Sequence, residues 1–74
     1  MIPKRETLKQ AGYTHFYTLN RGQHILYNVE QKKYELWFAN KNHASYGLKY
    51  GNTHLEFART IGENDTLWRD VHKA

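Results

Sequence analysis

Cysteine is absent from the 74 residues, so neither a disulfide nor a thiolate metal site can staple the chain. Proline occurs once, at Pro3, and serine once, at Ser45, outside the Gly-x-Ser-x-Gly setting of a hydrolase nucleophile. No apolar run approaches the ~20 residues that cross a bilayer as a helix. Met1-Ile-Pro-Lys-Arg-Glu6 lacks the apolar core of a signal peptide. A cytoplasmic location without a membrane partner is therefore expected. His-Glu-x-x-His and a glycine-rich phosphate loop are both missing. His54-Leu-Glu56 has the His-x-Glu spacing of zinc deaminases, but that signature also needs two cysteines. His15 and His24 share a strand face without a third ligand, which is a poor metal site. Asn42-His43 matches only half of a nuclease motif. The chain reads as not an enzyme, with no catalytic residue, metal or cofactor expected.

What remains is small, basic and aromatic. Seventy-four residues make one domain with a thin core, because a chain of this size buries only about 60–65% of its unfolded surface. Aromatic residues, 15% of the sequence, must supply much of the burial. The formal charge of +4 and pI near 9.5 suit an acidic partner, either nucleic acid or protein, and equally suit simple solubility.

Residues 13–39 hold three runs rich in aromatic and β-branched side chains, separated by short polar breaks. They are Tyr13–Leu19, His24–Glu30 and Tyr34–Ala39, the pattern of an antiparallel meander. A four-residue turn over Asn20–Gln23 pairs Leu19 with His24, Tyr17 with Leu26 and His15 with Asn28. Placing Tyr27 opposite Phe38 and Val29 opposite Leu36 then fixes a turn from Gln31 to Tyr34. This register puts Phe16, Ile25, Tyr27, Val29, Leu36 and Phe38 on the expected core face. Tyr13, His15, Tyr17 and Trp37 fall on the other.

Residues 1–12 read as an N-terminal arm or as a short helix over 4–11 ended by Gly12, with disorder of residues 1–6 the alternative. Residues 13–74 form the β-rich domain. Ser45–Tyr50, Gly51-Asn52 and Thr53–Arg59 fit a hairpin. Thr53-His-Leu-Glu56 also fits a capping box, but a helix would leave Gly51 without a role. Asn64 or Asp65 can cap a C-terminal helix whose Leu67, Trp68 and Val71 make an apolar stripe. The expected fold is α+β: an antiparallel meander of four to five strands with a short C-terminal helix and a possible N-terminal one.

Tyr13, His15, Tyr17 and Trp37, with Arg21, Lys32, Lys33 and Lys41 in adjoining turns, could stack bases and track phosphates. They could equally be the seat of the C-terminal helix or a protein-binding surface. The stretch from Met1-Ile-Pro-Lys-Arg-Glu-Thr-Leu8 through the tyrosine-rich strands resembles small bacteriophage host-takeover proteins. Among these it is most similar to the Xanthomonas phage type of RNA polymerase regulator. The resemblance implies a non-enzymatic protein that docks on the β′ subunit of bacterial RNA polymerase, inhibits initiation and suppresses termination. Charge alone nominates Lys4, Arg5, Arg21, Lys32 and Lys33 for the acidic polymerase surface.

Overall fold

A computed structural model describes residues 4–20, 22–40, 47–51 and 53–73. The order is α1 (Lys4–Gln10), β1 (Tyr13–Asn20), β2 (Gln23–Asn28), β3 (Lys33–Asn40), β4 (Leu48–Tyr50), β5 (Thr53–Ile61) and α2 (Leu67–Lys73). The five strands form one antiparallel sheet, and the fold is α+β as expected. Gly12 follows α1 at φ +89°, the left-handed conformation in which its N–H reaches the Lys9 carbonyl at 3.0 Å and closes the helix. Neither seven-residue helix would persist alone, so tertiary packing holds both. Among the described residues no helix is long and apolar enough to cross a membrane.

The meander is real for β1, β2 and β3 only. Strand order is β1-β2-β3-β5-β4. The nine-residue β5 takes the interior place beside the eight-residue β3, where it can bond to a neighbour on each side. The three-residue β4 is left at the edge, where a short strand exposes few unpaired groups. Residues 53–61 are thus strand rather than helix, folded back through Gly51.

The expected register is wrong in both hairpins. At the first, Asn20 pairs with Gln23, Thr18 with His24, Tyr17 with Ile25 and His15 with Leu26. The turn is two residues tighter than expected, and an Asn20 Nδ2 hydrogen bond to Gln23 Oε1 at 3.0 Å spans it. Phe16 and Leu19 are each an extra residue between paired neighbours, two β-bulges. At the second hairpin Asn28 pairs with Lys33, so Tyr27 lies opposite Tyr34 and Ile25 opposite Leu36. Asn28 Oδ1 accepts the Gln31 N–H at 3.0 Å, and Lys32 takes φ +56°. The turn therefore closes between residues 28 and 33, not from Gln31 to Tyr34.

These shifts matter because both faces of the sheet are covered. On one, Leu26, Trp37, Leu48 and Leu55 pack with Leu8 of α1. On the other, Ile25, Leu36 and Ile61 pack with Leu67, Trp68 and Val71 of α2. Leu8, Ile25, Leu26 and Leu55 are wholly buried, each contributing about 1.5–3 kcal/mol relative to exposure. Of the expected core, Ile25 and Leu36 are buried and Tyr27 half-buried, but Phe16 (45% exposed), Val29 (51%) and Phe38 (39%) are not. Phe16 falls at a bulge and Val29 in the tightened β2–β3 turn.

Helix α1 also bridges the two edge strands. Thr7 Oγ1 donates to the Lys49 carbonyl at 2.7 Å and accepts the Gly51 N–H at 3.2 Å. Beside it the His15 ring of β1 stacks on Tyr50 of β4, 5.0 Å between centroids and 6° from parallel. The sheet is curled so that its two edges meet under α1.

Candidate binding cleft

Position 35 places a carboxylate among apolar neighbours, and the local sequence surrounds it with donors. Trp37 Nε1 donates to Glu35 Oε1 at 3.0 Å, and Asn28 Nδ2 donates to Oε2 at 3.3 Å. The same amide nitrogen lies 3.3 Å from the Tyr13 hydroxyl. Burial, then the charge of Glu35, raises the Tyr13 pKa. Because Asn28 also holds Gln31, this network fixes the β2–β3 turn to the sheet. The Val29 N–H, bonded to the Gly12 carbonyl at 3.1 Å, fixes it to α1.

That turn carries Lys32 and Lys33, both exposed. They border an open cleft of about 600 Å³, within the ~300–1,000 Å³ usual for small-molecule sites. Tyr34 continues the wall from β3; Thr60, Ile61, Gly62 and Glu63 form the β5 side; Trp68 and His72 come from α2. The indole of Trp68 is held by its Nε1–H to the Gly62 carbonyl at 2.7 Å. Tyr34 stands perpendicular to it at 5.2 Å and Phe16 at 5.9 Å. The bulge that exposes Phe16 thus also lets it buttress the aromatic floor.

A further bulge lies between Leu36 and Trp37 in the β3–β5 register, next to Arg59, which pairs with Leu36 and reaches Asp65. The guanidinium meets both carboxylate oxygens, Nη2 to Oδ1 at 3.1 Å, and Asp65 Oδ1 also accepts the Leu67 N–H at 2.9 Å. Asp65 is thereby the cap expected for α2. The Arg59 hydrogen bond and then the Leu67 N–H hold its pKa below the usual carboxylate range.

The residues nominated from sequence do not form one site. Lys32 and Lys33 share the cleft. Trp37 is 5% exposed beneath α1, with Tyr13 against it at 5.6 Å. His15 is engaged with Tyr50 and Thr18. That face seats the N-terminal helix, so Trp37 has no ring face to offer a base. Tyr17 lies across the bulge, packed with the α2 cluster. Arg5 is exposed on α1; burial, then the charges of His24 and Arg5, lowers the His15 pKa. Arg21, Lys41 and the Lys4 side chain lie outside the described residues, as does Asn42-His43. His54 and Glu56 lie on β5, and among the described residues no three histidines or carboxylates converge on a metal position. Sequence reading missed Tyr34, Glu63, Trp68 and His72 as a set. Their signal was split between a strand and a helix stripe that looked wholly structural.

Fold and cleft together define a small α+β domain with a two-sided sheet and a basic, aromatic-floored cleft at one end. No protein-family model, curated protein sequence or solved structure matches this chain.

Proposed function

We propose that this protein works by binding, not catalysis, and that it regulates transcription by docking on bacterial RNA polymerase. One observation carries the binding reading: among the described residues the Lys32 and Lys33 ammonium groups make no hydrogen bond or ion pair, yet their turn is anchored to the sheet and to Gly12. In a chain of net charge +4, cations held ready in this way favour an acidic surface and speed encounter with it. The resemblance to phage regulators supplies the identity of that surface, the polymerase β′ subunit. It also supplies the outcome, inhibited initiation and suppressed termination within the bacterial cytoplasm. Arg5, Lys32 and Lys33 are the contact residues in this reading.

The test is affinity capture by the full chain from a nuclease-treated bacterial lysate, with mass spectrometry of what is retained. Polymerase subunits should be recovered whether or not nuclease is added. Their absence, or recovery that nuclease abolishes, refutes the proposal.

A further inference from the structure

We infer that the cleft between the β2–β3 turn and α2 is a binding site for a nucleoside 5′-phosphate, free or at the end of a single strand. The chemistry of the walls divides in a way that suits this ligand. Lys32 and Lys33 supply unpaired ammonium groups, and His72 a further ring nitrogen, for phosphate oxygens. Trp68 supplies a half-buried indole, fixed by its bond to Gly62, against which a base can lie. Glu63 and Thr60 supply an unpaired carboxylate and a hydroxyl for the hydrogen-bonding edge of that base. Glu63 also discriminates between occupants. An acidic peptide would satisfy the lysines but set a second carboxylate against it, whereas a base bearing an exocyclic amine would donate to it. Gly62, which lines the cleft, has no atom beyond its chain neighbours within 4 Å of where a side chain would begin.

The inference needs no polymerase, and its failure would leave the proposed partner standing. The experiment is an NMR titration of the ¹⁵N-labelled full chain, reading the two indole N–H resonances. Trp37, buried on the opposite face and bonded to Glu35, is the internal control. Adenosine monophosphate should move the Trp68 indole and the Lys33 and Glu63 amides saturably, with Kd at or below about 1 mM, and leave Trp37 still. Adenosine and inorganic phosphate should each bind at least about tenfold more weakly, because each fills half the site. A 5′-phosphorylated oligoadenylate binding about tenfold tighter identifies the source as a single strand; equal affinity identifies the free nucleotide. Lys32→Asn with Lys33→Gln removes both charges, and asparagine tolerates the left-handed backbone at 32. This double variant should lose about tenfold in affinity for the monophosphate. It should also flatten the oligonucleotide's log–log salt slope by about 1.4, roughly 0.7 per phosphate contact. Four results overturn the inference: no Trp68 response, an equal Trp37 response, phosphate or hexaglutamate reproducing the shifts, or undiminished binding by the double variant.

Discussion

Replacing Gly47 with alanine should be the most damaging single-methyl addition in the described glycine turns, for two separable reasons. Gly47 has φ +60°, where an L side chain costs about 1–2 kcal/mol. Its Cβ would also stand 2.6 Å from the Leu55 carbonyl oxygen and 2.7 Å from Cζ3 of Trp37. Neither neighbour can yield easily. Leu55 is wholly buried in a strand paired on both sides, and Trp37 is wedged between Tyr13 and Phe57 at 5.6 and 5.5 Å. Overpacking of this kind costs about 1–3 kcal/mol, so the total should reach about 2–5 kcal/mol. Two other glycines separate the causes. Gly12, at φ +89° with nothing within 4 Å, should show the backbone cost alone on changing to alanine, about 1–2 kcal/mol. Gly62 has neither a left-handed φ nor a neighbour within 4 Å, and alanine there should stabilise by about 0.4–1 kcal/mol through the unfolded chain. Urea unfolding of the three variants beside the parent measures all of this. In a domain this small each kcal/mol moves Tm by roughly 4–8 °C, so the ranking is easily resolved. Equal losses for Gly47→Ala and Gly12→Ala would show that the Trp37–Leu55 wall is not where the structure puts it.

Two further perturbations probe the polar interior. Glu35→Ala would leave the Trp37 indole N–H buried without an acceptor, at about 1–3 kcal/mol, and the Asn28 amide with only the Tyr13 hydroxyl, while Glu35→Gln keeps one acceptor and should lose less. Thermal melts check the order, and an alanine variant as stable as the parent would refute it. His15 is held below its ordinary pKa by burial, by His24 and by Arg5, so the folded state favours the neutral ring. Stability is therefore full above the unfolded value of about 6.5 and declines as pH falls from there through the folded-state pKa. His15→Gln should flatten that part of a Tm-against-pH curve, and an unchanged slope would remove His15 as its cause.

Element type was legible in the sequence, and element pairing was not. Both helices, their caps at Gly12 and Asp65, and the strand nature of 53–61 follow from local signals. Register failed because Tyr13, His15, Tyr17 and Leu19 alternate perfectly, yet the bulge at Phe16 sends the first two under α1 and the last two under α2. A bulge leaves no mark on an aromatic run. The consecutive burial of Ile25 and Leu26 was the available clue that both faces are covered, and it conflicts with any one-sided core. The cleft was harder still. Lys32 and Lys33 stood out by charge, but their partners Trp68 and His72 lie some forty residues away and join them only through the β3–β5 pairing.

The bridge that α1 makes between β1 and β4 has a consequence in time. The helix is synthesised before the strands it bridges, and its seat includes the Lys49 carbonyl and Leu48, which the ribosome supplies some forty residues later. During that interval Leu8 can reach Tyr13, Leu26 and Trp37 but lacks Leu48 and Leu55, and the Thr7 hydroxyl lacks the Lys49 carbonyl and the Gly51 N–H. The bridge therefore joins segments some forty residues apart and can close only after β4 has been made. A chain halted before residue 48 would hold three strands and a helix whose seat lacks Leu48 and Leu55, leaving part of the Leu8 cluster uncovered.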